Sequence, residues 1–188
     1  MSKINDLILS SAKEFKNPRS IVLAAMFGAI SMILSSMSIM IGEIIKINLV
    51  FLPNEFVNYA LGPVFGVVYG AVMDVLNYIV KPQGAFFPGF TISAILTGLL
   101  YGFMLYKRSI SLKRVIIANV VRSIFIDALL NTYWLTILMG NNFGAILSLR
   151  ITKILIMLPV ETIILFTVIK AVEKTGVMEL FASRKLKV

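Results

Sequence analysis

The sequence predicts an all-α membrane protein with six transmembrane helices. Of its 188 residues, 59% are hydrophobic, and the mean hydropathy is +0.93. A water-soluble domain cannot bury that much apolar surface. Several apolar runs reach the roughly 20 residues that a helix needs to cross the hydrocarbon core. Because the loops between them are short, we expect residues 1–188 to form a single membrane domain.

The distribution of positive charge predicts the orientation in the membrane. The net charge is +9, and most of the 18 lysines and arginines lie before the first run, in the loop at residues 107–114, or after the last run. Cytoplasmic loops carry an excess of Lys and Arg. We therefore expect both termini in the cytoplasm (N-in/C-in) and see no sign of a nucleic-acid partner.

The amino-acid composition excludes several kinds of chemistry. The chain has no Cys and no His, which excludes disulfides, the usual zinc sites and His-based acid–base catalysis. It also lacks a phosphate-binding P-loop motif, so it is not itself a P-loop ATPase. We expect no catalytic residue, no metal and no cofactor.

The N-terminal segment and the first span present two kinds of surface. Residues 1–19 combine an apolar stripe with lysines, which indicates an amphipathic helix on the inner leaflet or, alternatively, a frayed basic flank. The first span covers about 21–42. Ala25 and Ala29 share a small-residue face on which another helix can come close, within this chain or in a partner.

Residues 43–62 do not resemble a regular span, because charged and amide side chains and a proline interrupt them. Non-helical backbone at membrane depth must be covered by protein or line a cavity. We predict an outer loop at about 36–50 folded over a cavity, then a short return span at about 51–61. The alternative is a long exposed loop followed by a poor helix.

Four further spans complete the prediction. They cover residues 63–80, 90–106, 114–139 and 149–170. Gly62, Gly66 and Gly70 recur every four residues and form a groove that ends at Asp74. The last two spans form a hairpin, and residues 171–188 form a basic cytoplasmic tail.

Three ionisable residues are predicted at one depth in the membrane. With a rise of 1.5 Å per residue, Asp74, Arg122 and Glu161 come out about 12–16 Å from the cytoplasmic surface. Intramembrane charges are costly unless they are paired. We therefore predict a buried Asp74–Arg122–Glu161 cluster, as a structural staple in preference to a coupling element.

A second polar layer is predicted nearer the outer surface. Asp127, Asn131 and Trp134 have the i, i+4, i+7 spacing of one helical face, and Arg150 and Lys153 share a face of the last span. Together with Asn77 they predict an outward-facing pocket for a flat, anionic ligand. Alternatively, Trp134 and the two cations are ordinary interfacial and headgroup anchors.

Several strings of residues make the chain similar to a known family. They are FFPGFT at 86–91, NTYWL at 131–135, LRITK at 149–153 and LPVE at 158–161, after the glycine series that ends at Asp74. Over about residues 20–172 the chain closely resembles the folate branch of the S components of energy-coupling-factor (ECF) transporters.

The resemblance implies a multi-pass protein of the bacterial cytoplasmic membrane that binds folate with high affinity from outside. The first outer loop would act as a gate. Through Ala25 and Ala29, the protein would dock on a membrane-embedded coupling subunit that carries two ATP-binding subunits. Toppling in the bilayer would then carry the pocket to the cytoplasmic side.

Three groups of side chains are expected to contact folate. Aromatic rings would stack on the pterin and the aryl linker: Phe87, Phe90, Tyr133 and Trp134. Polar groups would bond the pterin edge: Asn77, Asp127 and Asn131. Arg150 and Lys153 would pair with the glutamate carboxylates, the arginine with two hydrogen bonds.

Two alternatives remain open. In the first, the ligand is another vitamin, such as riboflavin or thiamine, although the two cations at the pocket disfavour cationic thiamine. The other alternative is an intramembrane enzyme that uses Asp74, Asp127 and Glu161 as paired carboxylates. Against an enzyme stand the missing His and Cys and the lack of a nucleophile motif.

Overall fold

The computed structural model describes residues 2–37, 39–41, 45–47, 49–80, 82, 86–140 and 142–175. Its elements, in chain order, are α1 (Ser2–Lys13), a 3-10 turn (Glu14–Lys16), α2 (Pro18–Ser36), β1 (Ile39–Ile41), β2 (Ile45–Ile47), α3 (Phe51–Leu61), α4 (Pro63–Val80), α5 (Pro88–Leu105), α6 (Leu112–Val121), a π-helical segment (Arg122–Leu130), α7 (Asn131–Met139) and α8 (Phe143–Thr175).

Five helical stretches in the described part are long and apolar enough to cross a membrane. They are α2, α4, α5, residues 112–138 and α8. Each corresponds to one of the predicted spans, so the chain is a multi-pass membrane protein. The last span is longer than predicted, since α8 has 33 residues and begins at Phe143. Residues 176–188 of the predicted tail lie outside the described residues.

The N-terminal helix is joined to the bundle. The Ser11 hydroxyl accepts hydrogen bonds from the backbone N–H groups of Val64 (3.0 Å) and Phe65 (3.1 Å) at the start of α4. It donates to the carbonyl of Leu61 at the end of α3 (2.8 Å). The Phe15 ring stacks on Phe65 with 4.5 Å between centroids. Part of the predicted apolar stripe therefore contacts protein.

The predicted outer loop contains a short antiparallel hairpin, β1 paired with β2. Residues 38, 42–44 and 48 of this loop lie outside the described residues. Helix α3 follows at the predicted place, but its 11 residues rise only about 16 Å, about half of a hydrocarbon core. It is buried from Glu55 to Leu61, because other helices surround it.

Two stripes of small residues bring α4 and α5 together. A Cβ built on Gly66 would lie 2.8 Å from the carbonyl oxygen of Gly98, and one on Gly70 would lie 2.5 Å from that of Ala94. At these distances only small residues allow the two backbones to approach. The glycine groove predicted on α4 is therefore filled by α5.

The fifth span is not a regular α-helix. Its middle nine residues, Arg122–Leu130, are π-helical, a conformation that widens the helix and shifts the phase of the side chains after it. π-Helical turns are rare and are often found at functional sites. Hydrophobic periodicity did not predict this change.

Candidate functional site

A cavity of about 680 Å³ lies between α3, α4, α5, the π-helical segment and α8. Its wall is mixed, with apolar side chains between many polar ones. The polar and charged residues that line it are Asn54, Glu55, Asn58, Tyr69, Asp74, Thr97, Arg122, Ser123, Asp127, Arg150, Lys153 and Glu161.

The cavity has two distinguishable ends. Along α8 the wall extends from Arg150 to Glu161, a rise of about 16 Å. We call the end of the cavity at Arg150 the mouth, and the end at Glu161 the floor.

A charged cluster lies toward the floor. The Arg122 guanidinium pairs with Glu161 of α8 and, at 3.2 Å, with Asp127. The side chains of Arg122 and Glu161 are 14% and 13% exposed. The predicted pairing of Arg122 with Glu161 is present, so one cation is shared by two carboxylates.

The prediction that Asp74 is the third member of this cluster was wrong. Asp74 accepts a hydrogen bond from the Thr91 hydroxyl at 2.7 Å and has no ion pair within the described part of the chain. Asp127 takes its place because the π-helical segment turns residue 127 toward Arg122. Asp74 still lines the cavity.

Two cations lie on the wall nearer the mouth. Arg150 donates a hydrogen bond from Nη1 to the backbone carbonyl of Asp127 at 2.8 Å. Lys153 has no ion-pair partner among the residues described. Both cations line the cavity. The two side chains are available to a ligand with negative charge.

The aromatic residues predicted at the pocket form a cluster beside the cavity instead of lining it. The Trp134 indole N–H donates to the Ser93 hydroxyl at 3.2 Å, and its ring lies 5.7 Å from that of Phe87. Phe87 in turn contacts Phe90, at 6.1 Å. Tyr133 is 52% exposed. Leu135, next to Trp134 in sequence, lines the cavity.

The two predicted asparagines also lie off the cavity wall. Asn131 donates from Nδ2 to Asp127 at 3.3 Å. The side-chain oxygens of Asn77 and Asn131 are buried without a hydrogen-bond partner in the described part of the structure. Asp127 and Asn131 therefore meet as the predicted helical face requires, but of Asp127, Asn131 and Trp134 only Asp127 lines the cavity.

Helix α3 contributes polar residues that the sequence analysis did not place at the site. Asn58 donates from Nδ2 to Glu55 at 3.0 Å, and Tyr69 of α4 donates to Asn54 at 3.3 Å. Glu55 and Asn58 are 2% and 3% exposed. The sequence contained a pattern that could have found the α3 residues, since positions 54, 55 and 58 share a helical face. Their polarity was instead interpreted as the interruption of a span.

The small residues of α2 divide into two rows. Ala24 and Gly28 are buried, and a Cβ on Gly28 would lie 3.2 Å from the Met73 sulfur of α4. Ala25 and Ala29 are exposed. The predicted interface residues therefore face away from the bundle.

The described residues contain no cluster of acidic side chains, Cys or His arranged to hold a metal ion.

Comparisons with known proteins agree on one family. The sequence profile described as "ECF transporter, substrate-specific component" matches residues 19–173. The folate transporter FolT of Clostridium novyi (strain NT) is 34% identical over 135 residues, which are 72% of this chain and 78% of that protein. FolT of Leuconostoc mesenteroides subsp. mesenteroides is 28% identical over 149 residues, 76% of this chain and 80% of its own.

Comparison of the fold with solved structures points to the same family. The crystal structure of FolT bound with folic acid superimposes with a TM-score of 0.73 and 28% sequence identity, and covers 81% of this chain and 93% of the other. The family consists of transporter components and not of enzymes, which excludes the carboxylate enzyme considered above. The chain belongs to the substrate-specific (S) components of ECF transporters.

Proposed function

We propose that this protein is the folate-binding S component of an ECF-type importer. The observation that carries the proposal is the cavity of about 680 Å³ with Arg150 and Lys153 on its wall, in a chain similar to folate transporters and to a FolT structure that holds folic acid. The volume lies within the about 300–1,000 Å³ that is usual for small-molecule sites.

Folate has features that fit this wall. Its flat pterin and aryl linker need apolar and aromatic surface, and its glutamate carries two carboxylates. Arg150 pairs with a carboxylate through two parallel hydrogen bonds, and Lys153 adds a second cation that has no ion-pair partner among the described residues. Both charges lie toward the mouth, so they also attract the dianion from solution.

The aromatic cluster next to the cavity extends the ligand surface in this proposal. Trp134 of α7 packs on Phe87, the residue before α5, and Phe90 and Tyr133 continue the cluster. Asn77 and Asn131 each keep one unsatisfied side-chain oxygen. The N–H groups that flank the aryl linker of folate would donate to these two acceptors, which the described structure leaves without partners.

The proposed arrangement in the bacterial cytoplasmic membrane has six crossings in one domain of residues 1–188. Helix α3 is the short sixth crossing, and the loop at 36–50 gates the mouth, where α3 begins. The N-terminal segment 1–19, the loop at 107–114 and the tail 171–188 lie in the cytoplasm, because positive charge is retained on that side.

Transport requires partners in this proposal. The exposed pair Ala25 and Ala29 on α2 meets a membrane-embedded coupling subunit, since small side chains let two helices approach closely. Two ATP-binding subunits on that partner supply the energy. The S component itself uses no cofactor and binds no nucleic acid.

The experiment is to identify the bound ligand. Mass spectrometry of small molecules that copurify with the detergent-solubilised protein should find a folate with an unchanged structure. Titration with folic acid should change the fluorescence of the single tryptophan, whereas thiamine and riboflavin should not. Tight binding of riboflavin or thiamine without binding of folic acid would refute the proposal.

A further inference from the structure

The N-terminal helix α1 has three different faces. Ser11 and Glu14 are buried against the bundle. About a quarter turn around the helix from them, Ile4 and Ile8 form an apolar stripe, and these side chains are 57% and 37% exposed. The remaining side is mostly polar and includes the exposed Lys13. A helix with separate apolar and cationic faces fits the boundary between a bilayer and water.

Helix α1 lies at the depth of the membrane boundary. The Ser11 hydroxyl bonds backbone N–H groups in the first turn of α4, and α4 is long and apolar enough to cross a membrane. The first turn of such a helix lies where the hydrocarbon core meets the headgroups. The apolar stripe of α1 is therefore held next to the bilayer surface.

A buried contact joins α1 to the loop after α5. The Glu14 carboxylate accepts hydrogen bonds from the Ser20 hydroxyl of α2 at 2.5 Å and from the Tyr106 hydroxyl at 3.5 Å. All three residues are almost inaccessible to solvent, with at most 2% exposure. The end of α1, the start of α2 and the end of α5 therefore form one rigid unit.

The same contact brings together cations from two parts of the sequence that are 92 residues apart. Two come from the end of α1 and two from the loop after α5, and all four are exposed: Lys13, Lys16, Lys107 and Arg108. We call these four residues the basic corner. No ion pair within the described residues involves a lysine of the basic corner. Glu14 is the one acidic residue of segments 7–20 and 106–114, and two hydroxyls already bond its buried carboxylate.

Lys107 of the basic corner has an unusual backbone conformation. Its φ of 53° lies in the left-handed region, which residues other than glycine seldom adopt. Glycine would form this turn with less strain, so the turn alone does not explain a lysine here. The Lys107 ammonium lies 5.4 Å from the centre of the Tyr106 ring, a cation–π contact that holds the charge beside α1.

We propose that the basic corner and the apolar stripe of α1 together bind an anionic phospholipid of the inner leaflet. The cations pair with the phosphate headgroup, and Ile4 and Ile8 contact the upper part of the acyl chains. None of these described residues lines the cavity, so the lipid site is separate from the site of the transported ligand. The inference uses the cytoplasmic position of α1 and does not depend on the identity of that ligand.

Charge and position both favour an anionic lipid. Each Lys or Arg next to an anionic bilayer surface strengthens binding about fivefold. A zwitterionic headgroup carries its own positive charge and gains less from four cations. An acidic protein surface would also pair with the cations, but the apolar stripe beside them lies at the level of the headgroups, where lipid is its neighbour.

The test compares dioleoyl phosphatidylglycerol with dioleoyl phosphatidylcholine, which have the same acyl chains. Native mass spectrometry of the whole chain in detergent measures the affinity for each lipid. The unmodified protein should bind the anionic lipid at least about tenfold more tightly than the zwitterionic one. Equal affinity for the two lipids would overturn the inference.

Single substitutions locate the site. Lys16→Gln and Lys107→Gln should each weaken binding of phosphatidylglycerol about fivefold, although they lie in separate segments. Lys174→Gln removes an exposed cation near the end of α8 and should leave the affinity unchanged within about twofold, because it lies outside the basic corner. No loss in the first two variants, or the same loss in all three, would refute a lipid site at this corner.

The apolar stripe has its own pair of variants. Ile8→Gln should weaken binding of phosphatidylglycerol by about threefold or more, because less apolar surface is left for the acyl chains. Leu9→Gln is the control, since Leu9 is 60% exposed but lies on the polar side of α1. Equal effects of the two substitutions would remove the stripe from the site. Should Ile8→Gln not fold, the lysine variants decide.

Uptake distinguishes a protein partner from a lipid. Suppose that Lys16→Gln and Lys107→Gln bind phosphatidylglycerol normally but no longer support uptake of labelled folic acid by cells that contain the coupling module. The basic corner would then bind protein, and the inference would be wrong. Failure of the unmodified protein to bind folic acid would instead refute the proposed function, and it would leave the lipid measurement intact because no folate is used there.

Discussion

Arg122 and Asp127 are five residues apart and form an ion pair of 3.2 Å within one helical segment. In an α-helix, side chains with this spacing point about 140° apart. The π-helical turns of Arg122–Leu130 bring them to the same side. Residue 122 thereby links its own helix to α8 through Glu161, and both carboxylates depend on the same guanidinium.

Arg122→Gln is expected to destabilise the protein strongly. It leaves two partly buried carboxylates without their cation, and the cost should approach the about 3–5 kcal/mol that removal of one partner of a buried pair costs. Thermal unfolding of the detergent-solubilised protein should show a clearly lower midpoint than in Lys113→Gln, which removes an exposed cation at the start of α6. Equal midpoints in the two variants would mean that the cluster is not a structural staple.

Gly98→Ala is expected to disturb the contact of α4 with α5. A Cβ on Gly98 would overlap the carbonyl of Gly66, and the helices would have to separate at a cost of about 1–3 kcal/mol. The control is Gly144→Ala, an exposed position in α8 whose nearest neighbour is a side-chain atom at 3.4 Å. Gel filtration and thermal unfolding compare the two, and unchanged stability of Gly98→Ala would contradict the close crossing.

The sequence predicted this close crossing because the size of each side chain can be read directly from the sequence. Glycines every four residues require a neighbour at close range, whatever helix supplies it. Likewise, Arg150 and Lys153 reached the cavity wall because they are adjacent on a regular helix.

The cavity composition was harder to predict, because it depends on helical phase and on what surrounds a helix. The π-helical segment brings Asp127 to Arg122, and apolar periodicity carries no sign of it. Glu55 and Asn58 are polar residues in a short helix, and only the surrounding helices make that helix buried.

Ser11→Ala tests whether the N-terminal helix stabilises the bundle. The hydroxyl caps two N–H groups of α4 and bonds one carbonyl of α3, so its loss should cost about 1 kcal/mol or more. Ser10→Ala removes a neighbouring hydroxyl that bonds only the carbonyl of Leu7 in its own helix. A lower unfolding midpoint is expected for Ser11→Ala alone, and identical midpoints would show that α1 lies on the bundle without supporting it.

Arg150→Glu is expected to abolish tight binding of folic acid. The reversal sets a negative charge against the ligand carboxylates and also loses the hydrogen bond to the carbonyl of Asp127. Affinity should fall by at least about 30-fold, since removing one partner of a buried charge pair costs about 2–5 kcal/mol. Lys174→Glu, an exposed reversal at the other end of α8, should bind normally. Unchanged affinity of Arg150→Glu would refute the assignment of the carboxylates to the mouth.

Ala25→Trp separates ligand binding from transport. Ala25 is exposed on α2 and is not part of the cavity wall, so folic acid should bind the purified variant with unchanged affinity. The indole blocks the close approach of a partner helix, and uptake of labelled folic acid by cells that contain the coupling module should fall to background. Ile163→Trp places the same ring on α8 at a side chain that is 62% exposed and should support normal uptake. Normal uptake by Ala25→Trp would remove this face of α2 from the interface, whereas loss of uptake in both variants would indicate that any large ring on the membrane-facing surface is harmful.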